Sequence, residues 1–330
     1  KAELPSKGTD NPSHVLRDSR GREVVLPINR MPSDRKPNQA DGESFDWGGF
    51  DVPDSDFGDT QITTWAIDRL RRGLGNEKPF FLGVGYYRPH IPLFAPQKYF
   101  DIYPQHKLQF ELSPKNDWDD IPTLAMVKRF KGFGFEISKE NDELRRKYTQ
   151  AYHACVSFVD AQIGLIIDKI KAQKIWNDTI VIFTSDHGYH LGDHFLWGKV
   201  TLFDIGAKVP LIIRAPGLTQ AGSTSQAMVE LIDLYPTLAD LAGLPKPTHL
   251  QGTSLRPLLG HPERLGKKKF AYTIVTRGPK LGYALRNQNW RYAKWPDGEE
   301  LYNLNSDPEE KQNLAGKPHL NERLMEFRQI

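Results

Sequence analysis

The length and composition of the chain indicate one large folded domain, or a large domain followed by a small one. Of its 330 residues 38% are hydrophobic, and no apolar run reaches the ~18 residues that a membrane span requires. The net charge of +3 comes from scattered lysines and arginines rather than a basic stripe, so the sequence carries no nucleic-acid-binding signature. Its single cysteine, Cys155, excludes an internal disulfide framework.

The first half of the chain predicts two helices and one buried strand. Residues 1–60 are polar and rich in proline, glycine and aspartate, which is typical of a long surface excursion. Helical spacing predicts a helix over 59–73, and the apolar run 80–86 that follows is bounded by prolines, as a buried strand is. A long helix is predicted over 141–174, with Asn141 as its N-cap. Cys155 lies on the apolar face of that helix, which indicates inert core.

The second half predicts the fold class. Residues 180–184 and 209–215 are apolar runs without alternation, typical of strands in a parallel sheet buried on both faces. A helix is predicted over 230–244. Because helices and strands alternate up to this point, we expect an α/β fold with a largely parallel central sheet flanked by helices.

After about residue 262 the pattern changes to short strands joined by turns. Four antiparallel strands are predicted at 270–276, 282–287, 290–295 and 300–304, followed by a helix from about residue 317. We therefore predict a large domain over 1–262 and a small C-terminal α+β subdomain with an antiparallel sheet over 263–330.

The strongest local signal for chemistry is the run Ser-Asp-His-Gly at 185–188, which directly follows a predicted central strand. Open α/β sheets bind ligands beyond the C-terminal ends of their strands, and adjacent Asp186 and His187 supply two ligands for a divalent metal ion. An adjacent Asp-His pair at a strand end is as often a hydrogen-bonded structural turn as a metal site. The loop that follows favours function, because glycines there alternate with polar and aromatic side chains: His190, Asp193, His194, Trp197 and Lys199.

A second signal is the run Tyr-Tyr-Arg-Pro-His-Ile-Pro at 86–92, directly after the predicted strand 80–86. Prolines on both sides stiffen the backbone around His90, which suits a side chain that must be positioned in advance. A lone histidine is more often structural. For a histidine between two prolines, at the same predicted sheet edge as the Asp186-His187 turn, a functional role is about as frequent as a structural one.

Taken together, these segments resemble iduronate-2-sulfatase and its bacterial relatives, in the alkaline-phosphatase-like superfamily. Residues 78–92 are similar to the histidine segment of that family, and 185–199 to its next block. Residues 300–314, with Glu-Leu-Tyr-Asn-Leu, Asp-Pro-Glu and Asn-Leu, resemble the C-terminal signature of sulfatases. The match runs in order from about residue 44 to the end. It implies a metal-assisted sulfuric-ester hydrolase that releases sulfate from a sulfated sugar, such as a glycosaminoglycan, with 1–262 as its catalytic domain.

The resemblance also implies roles for individual residues. Asp186 and His187 would bind a Ca²⁺ ion that polarises the sulfate, with Mg²⁺ or Mn²⁺ as alternatives because calcium prefers oxygen ligands. Lys199 would bind a sulfate oxygen, although outside the resemblance it would be interpreted as a surface charge. His90 would protonate the departing ester oxygen as a general acid. Four side chains are candidates for the substrate pocket without an assigned role: Arg88, Tyr189, His194 and Trp197.

The nucleophile of the family is a formylglycine made from Cys or Ser in a C/S-x-P-x-R motif, and no residue of this sequence fits it. Cys155 is followed by Val-Ser-Phe-Val, and Ser306 begins a run with glutamate where arginine is needed. The family's two N-terminal metal-binding aspartates also lack a match, because Asp119-Asp120 follows a polar stretch rather than a buried strand. We therefore expect formylglycine only in a missing N-terminal segment, an incomplete metal site, and an inactive chain. A second chain could instead supply the segment.

Two other functions remain open. One is a phosphomonoester or phosphonate hydrolase of the same superfamily, which would use the same kind of metal-binding turn. The other is a non-catalytic protein that binds sulfated glycans without hydrolysing them. The expected partners are a sulfated carbohydrate and, in the two-chain case, the segment with the nucleophile, but no nucleic acid and no membrane. The resemblance implies a periplasmic, secreted or lysosome-like exported compartment, with no signal peptide in this chain.

Overall fold

The computed structural model describes residues 15–17, 21, 23–26, 28–29, 46–74, 78–109, 113–126 and 142–330, and it divides the chain into two compact units. The first unit comprises Lys1–Glu111 and Lys128–Asn177, and the second comprises Leu112–Val127 and Asp178–Ile330. The predicted N-cap Asn141 and most of the polar stretch before residue 46 lie outside the described residues. The predicted boundary between residues 262 and 263 falls within the second unit and stays a prediction.

The described part of the first unit contains three α-helices and two short sheets. Strands β1 (Val15–Arg17) and β2 (Glu23–Val25) pair antiparallel, and β3 (Trp47–Phe50) pairs parallel with β4 (Leu93–Pro96). Helix α1 spans Gly58–Arg71, the short α2 spans Gln97–Phe100 and α3 spans Asp142–Ala172. The bounds of α1 and α3 confirm the two helices predicted from periodicity.

The core of the first unit lies along one face of α3. The residues at helical spacing on this face are fully buried: Tyr148, Ala151, Ala154, Cys155 and Phe158. Tyr148 meets the ring of Trp47 edge-on at 5.4 Å, and the Cys155 thiol lies 3.6 Å from the Phe94 carbonyl oxygen. Cys155 is therefore a core residue, as predicted, and burial raises the pKa of its thiol to about 12.

The predicted buried strand at 80–86 is not found. Within the described residues this run has no strand pairing, and the Phe81 side chain is 80% exposed. Exposure alternates along the run, with positions 81, 83 and 85 exposed and 82 and 84 half-buried. The prediction depended on apolar content and flanking prolines, and neither of these specifies a partner strand.

The second unit begins with two strands whose positions were predicted but whose direction was not. Strand β5 (Val181–Thr184) pairs antiparallel with β8 (Leu211–Arg214), so this pairing departs from the largely parallel sheet expected from both apolar runs. Phe183 and Ile212 are 38% and 63% exposed, so the pair is also not buried on both faces. An apolar run without alternation indicates how a strand is covered, and strand direction depends on the connection between strands.

Short elements lie between β5 and β8 and between β8 and the C-terminal sheet. Strands β6 (His190–Leu191) and β7 (Trp197–Gly198) form a small hairpin, and helix α4 spans Asp204–Ala207. The helix predicted over 230–244 is a 3-10 turn, Leu231–Asp233, continued by α5 (Leu234–Leu241). Helix α6 (Arg256–Gly260) follows. Among the described residues no helix is both long and apolar enough to cross a bilayer.

The C-terminal sheet confirms the predicted four-strand meander. Strands β9 (Ala271–Arg277), β10 (Lys280–Arg286), β11 (Trp290–Trp295) and β12 (Gly298–Asn303) pair antiparallel in chain order, and helix α7 spans Asn321–Arg328. One face carries a core cluster that includes Trp295 and Tyr302 and also residues of 113–126, such as Ile121. The other face packs against Leu324 and Phe327 of α7.

Candidate active site

The Asp186-His187 turn directly follows β5 and is ordered by its own hydrogen bonds. The His187 amide donates to Asp186 Oδ1 at 3.0 Å, and the Ser185 hydroxyl lies 3.3 Å from the His187 carbonyl oxygen. Asp186 Oδ2 lies 3.3 Å from His187 Nε2, while the Asp186 side chain is 81% exposed. The carboxylate and the imidazole therefore converge at a surface that solvent reaches.

The hydrogen bonds of His187 determine which ring nitrogen carries the proton. Its Nδ1 lies 2.8 Å from the Gly188 carbonyl oxygen, and because a carbonyl only accepts, Nδ1 must donate. Nε2 then has its lone pair available, and the Lys199 ammonium lies 2.9 Å from it. A histidine whose other ring nitrogen donates to a carbonyl is the arrangement in which proteins present imidazole to a metal ion.

The two donor atoms fit adjacent positions around a calcium-sized ion. Calcium–oxygen bonds of 2.3–2.6 Å at right angles place neighbouring ligands about 3.3 to 3.7 Å apart. The separation of Asp186 Oδ2 and His187 Nε2, 3.3 Å, is at the lower end of that range. Calcium takes 6–8 ligands, and in the part of the chain that the structure describes no group of three or more His, Cys, Asp or Glu could hold a metal. Of the predicted metal ligands, the described residues include two, Asp186 and His187, whose role stays a prediction.

Glycine at position 188 is required by close packing against α4. The Gly188 amide donates to the Gly206 carbonyl oxygen at 3.1 Å, and a Cβ atom on Gly188 would lie 1.8 Å from the Ile205 carbonyl oxygen. Gly206 is similarly restricted, since its Cβ atom would lie 2.4 Å from Thr201 Oγ1. The backbone of the Asp186-His187 turn is therefore held directly on the backbone of α4.

Lys199 lies in a loop whose backbone is strained and held from several sides. The residue after it, Val200, has φ of 68°, a left-handed conformation that a β-branched residue rarely adopts. Arg277 on β9 donates to the Val200 carbonyl oxygen at 2.6 Å. The preceding Trp197 is buried in the β6–β7 pair. This support positions the Lys199 ammonium next to His187.

His190 is a buried member of the frame that supports this loop. Its Nδ1 donates to the Asp193 carbonyl oxygen at 3.1 Å, so its Nε2 accepts from the Thr201 hydroxyl at 2.7 Å. Burial lowers the pKa of His190 to about 4, with the neighbouring His194 as a second cause. At neutral pH His190 is therefore an uncharged link between the β6–β7 hairpin and the residues after Lys199.

His194 is also buried, with 3% of its area exposed. Its Nδ1 lies 2.9 Å from Asp117 Oδ2, and its ring stacks on Phe203 at 3.9 Å between centroids. Trp118 donates to the His194 carbonyl oxygen at 2.6 Å. These contacts connect the segment 113–126 to the loop. The assignment of His194 to the substrate pocket stays a prediction.

His90, in the first unit, is exposed on a loop with a well-defined backbone. The peptide bonds before Pro89 and Pro92 are cis. The His90 Nδ1 lies 2.7 Å from the Ile91 carbonyl oxygen, so Nδ1 donates and Nε2 is the nitrogen with the lone pair when the ring is neutral. The Tyr87 ring lies 4.9 Å from the His90 ring, and its hydroxyl also donates to the Ile91 carbonyl oxygen. These contacts orient the imidazole.

Arg88 and Asp59 stabilise the same loop from inside the first unit. Asp59, on α1, accepts from the Tyr87 amide at 2.7 Å and from the Arg88 amide at 3.1 Å. The Arg88 side chain is buried, and its Nε donates to the Phe94 carbonyl oxygen at 2.8 Å. Its Nη1 lies 3.4 Å from the His90 carbonyl oxygen. A role of Arg88 in the substrate pocket stays a prediction.

The predicted site residues thus form two local groups. In the second unit, His187 lies close to both of its predicted partners, with its Nε2 3.3 Å from the Asp186 carboxylate and 2.9 Å from the Lys199 ammonium. Arg88 and His90 share a loop in the first unit. Of the remaining pocket candidates, Tyr189 is half-buried, whereas Trp197 and His194 are buried. No role of these eight residues in catalysis or binding is tested by their geometry alone.

The residues that support the site were not predicted from the sequence. Asp59, Arg277 and Thr201 act through contacts with other elements, and no short motif marks them. The adjacent pair Asp119-Asp120 is engaged elsewhere in the second unit, since Asp120 accepts from the Asn313 amide through its side chain at 3.1 Å. An Asp-Asp pair therefore has a structural function here.

An α/β fold with an Asp-His turn directly after a strand is compatible with a class of hydrolases, and comparison with known proteins identifies the family. A family profile described as Sulfatase matches residues 26–244, and one described as N-sulphoglucosamine sulphohydrolase, C-terminal, matches residues 192–329. The chain belongs to the sulfatase family, a family of sulfuric ester hydrolases. The family identified from sequence motifs is thereby confirmed.

Two relatives show the extent of the similarity. A sulfatase of Formosa agariphila is 36% identical over 274 residues, covering 82% of this chain and 52% of that protein. The iduronate 2-sulfatase of Homo sapiens is 31% identical over 291 residues, covering 78% of this chain and 52% of that protein. The chain thus spans about half the length of these relatives.

Solved structures show the fold. A structure in complex with its substrate, D-glucosamine-2-N,6-O-disulfate, superimposes with a TM-score of 0.70 at 24% identity, covering 88% of this chain and 70% of that one. The phosphonate monoester hydrolase of Agrobacterium radiobacter superimposes with a TM-score of 0.73 at 24% identity, covering 85% and 61%. These likenesses support the alkaline-phosphatase-like α/β fold.

Proposed function

We propose that this chain contributes the metal turn and the sulfate-binding lysine of an enzyme that releases sulfate from a sulfated sugar. The observation that carries the proposal is the arrangement at His187, whose Nδ1 is fixed on a carbonyl and whose Nε2 lies between the Asp186 carboxylate and the Lys199 ammonium. Membership of the sulfatase family supports a role of this arrangement in sulfate-ester chemistry.

Asp186 and His187 would hold the metal ion, and Ca²⁺ fits the separation of their donor atoms, with Mg²⁺ or Mn²⁺ as alternatives. A bound divalent cation supplies positive charge that polarises a sulfate oxygen. Because Lys199 uses the same His187 nitrogen, metal binding would displace its ammonium from Nε2. The freed ammonium would then bind an anionic sulfate oxygen.

His90 is proposed as the general acid that protonates the sugar oxygen as it departs. A candidate acid must present a ring nitrogen whose proton can reach the leaving group. The hydrogen bond from Nδ1 to the Ile91 carbonyl leaves Nε2 for this role. Because the sequence holds no C/S-x-P-x-R motif, we assign no nucleophile within it and expect formylglycine from outside it. We expect the chain alone to bind sulfate esters without turnover.

The proposed substrate is a sulfated carbohydrate, a class supported by the disulfated glucosamine bound in one similar structure. The Lys199 ammonium next to the turn suits an anionic ligand. Family membership also supports an exported setting for the enzyme, in the periplasm, outside the cell or in a lysosome-like compartment. A largely parallel central sheet with 1–262 as the catalytic domain is part of this proposal.

The test is sulfate release by the gene product that contains this chain, measured with a sulfated sugar and with 4-nitrophenyl sulfate. His90→Ala should lower kcat by about 10²- to 10⁴-fold on the sugar. On nitrophenyl sulfate the loss should be much smaller, because nitrophenolate departs without a proton. Lys199→Ala should lower kcat/KM on both substrates by about 10²- to 10³-fold, as for loss of one group that stabilises developing charge.

Two exposed residues of the same types serve as matched controls, His249→Ala and Lys208→Ala. Both should retain the wild-type rate. If the His90 and Lys199 variants release sulfate as fast as these controls, the assignment of the site is wrong. Binding of sulfated sugars without any release by the full gene product would indicate the non-catalytic alternative.

A phosphonate or phosphate monoester hydrolase is the second candidate, favoured by the likeness to the Agrobacterium radiobacter enzyme. The same gene product should therefore be assayed with phenyl phosphonate esters and phosphomonoesters. A kcat/KM on these substrates that exceeds the value on sulfate esters, with the same dependence on Lys199, would replace the sulfatase proposal.

A further inference from the structure

A buried cluster of charged side chains lies in the C-terminal sheet, away from the residues assigned to catalysis. Arg291 on β11 forms ion pairs with Glu310 through Nε and with Glu300 on β12 through Nη2, the latter at 3.2 Å. The three side chains are only 1–2% exposed. Burial acts to lower the pKa of Arg291, but the two carboxylates raise it overall, so the guanidinium remains charged.

The two carboxylates of this cluster are used differently. Glu300 accepts hydrogen bonds within the sheet, from Trp295 at 3.1 Å and from the Tyr302 hydroxyl at 3.1 Å. Glu310 instead accepts from the Asp204 amide at 2.7 Å through the oxygen that does not bind Nε of Arg291. Desolvating a buried charge is costly. Here the buried Glu310 carboxylate binds the amide of Asp204, the first residue of α4.

Helix α4 is tied to the sheet at that residue by a second contact. The Asp204 carboxylate accepts from Arg286 on β10, with 3.1 Å between Oδ1 and Nε. The first N–H groups of a helix have no partner within the helix, and Glu310 supplies an acceptor for one of them. Both the backbone and the side chain of Asp204 are therefore held by the C-terminal sheet.

The other end of α4 holds the metal turn. The Gly206 carbonyl oxygen accepts from the Gly188 amide, and the space between Gly188 and Ile205 admits no Cβ atom. A displacement of α4 therefore moves the residue next to His187. The contacts run from Glu310 through Asp204 and Gly206 to Gly188.

We propose that Glu310, held by Arg291, is a positioning residue that sets the orientation of the Asp186-His187 turn through α4. It does not contact the site itself and acts only through the α4 backbone. The structural part of this inference stands on the contacts described, and its consequence for turnover rests on the proposed function.

The test uses Glu310→Gln, which keeps the shape of the side chain and removes its charge. Hydrogen–deuterium exchange should rise at least about 10-fold at the peptide that contains Gly188, and not in α3. In the gene product that contains this chain, kcat for sulfate release should fall between about 10- and 100-fold with KM nearly unchanged, as for a misplaced catalytic group. Glu309→Gln, an exposed neighbour that pairs with Lys311, is the matched control and should change neither quantity.

A second control separates positioning from general loss of stability. Leu324→Ala removes a buried side chain from the α7 side of the sheet and should destabilise the protein without touching α4. If Glu310→Gln and Leu324→Ala variants of equal stability show the same exchange at Gly188 and the same kcat, Glu310 has only a structural role and the inference is overturned.

The outcomes also distinguish this inference from the proposed function. Raised hydrogen–deuterium exchange at Gly188 in Glu310→Gln, combined with a wild-type protein that releases no sulfate, would support the positioning role of Glu310 and refute the proposed function. If the wild type is active and its Glu310→Gln variant keeps the same kcat and the same hydrogen–deuterium exchange at Gly188, the positioning role of Glu310 is refuted. Should Glu310→Gln not fold, Arg286→Gln removes the ion pair that holds the Asp204 side chain. This variant must raise hydrogen–deuterium exchange at Gly188 if the positioning through α4 is correct.

Discussion

The buried His190 should make the stability of the second unit depend on pH. Burial lowers the pKa of this imidazole from 6.5 to about 4, whereas in the unfolded chain it titrates near 6.5. Between these values the unfolded state binds a proton that the folded state does not, so folding weakens as the pH falls. The contribution of His190 is complete above its unfolded pKa, decreases as the pH falls towards 4, and is constant below that.

The magnitude follows from the size of the shift. One pKa unit corresponds to 1.36 kcal/mol, so His190 should cost about 2 kcal/mol of unfolding free energy by pH 5 and about 3 kcal/mol by pH 4. His190→Gln serves as the reference, since its amide oxygen can accept the Thr201 hydrogen bond without titrating. Other groups titrate in both proteins, and the difference between the two curves isolates His190.

The measurement is urea unfolding at fixed ionic strength between pH 7 and 4, followed by tryptophan fluorescence, to which the buried Trp197 and Trp295 of the second unit contribute. The advantage of wild type over His190→Gln should shrink steadily over this range. A difference that stays constant to within about 0.5 kcal/mol would show that His190 is not held neutral by its surroundings, and the reasoning would be wrong.

Two further predictions concern residues with clear local causes. Gly188→Ala should lose at least about 2 kcal/mol of unfolding free energy, because the new Cβ would overlap the Ile205 carbonyl oxygen. Its control, Gly164→Ala, lies in open space on α3 and should gain about 0.5–1 kcal/mol. Calorimetry measures both, and equal effects would contradict the packing argument. Cys155, with its thiol pKa raised by burial to about 12, should resist iodoacetamide at pH 8 in the folded protein and react after unfolding, as mass spectrometry would show.

Helices and the C-terminal meander could be predicted because their signals are local. The helix predicted over 59–73 is found at Gly58–Arg71, and the strand predicted at 290–295 is found at those residues. Side-chain periodicity reports which face of an element is covered, and short turns between strands leave adjacent pairing as the simple solution. Both kinds of information lie within about 15 residues.

The pairing of the other strands could not be predicted in the same way. The apolar run at 180–184 indicates burial, yet its partner β8 is antiparallel and part of the pair is exposed. The run at 80–86 has strand-like composition and no pairing in the described residues. Composition contains no information about direction or partner, which depend on the connections between elements.

The candidate site was predictable to a similar extent. Asp186 and His187 are adjacent, and Lys199 follows them closely enough for a family motif to join all three. The residues that hold them are remote in sequence: Arg277 lies 77 positions after Val200, and Glu310 lies 106 positions after Asp204. A single sequence gives no signal for contacts at such separations.

The C-terminal meander has a consequence for the order in which the second unit forms. The most widely separated pair in its first hairpin is Ala271 and Arg286, so little entropy is lost in closing these loops, and such local sheets form early. The segment 113–126 belongs to the same unit, yet the Leu124 amide binds Asp297, 173 positions later. During synthesis this segment leaves the ribosome long before its partner exists. Apolar side chains such as Ile121 therefore lack their native partners until the C-terminal sheet has been made, and we expect this stretch to be prone to aggregation during synthesis.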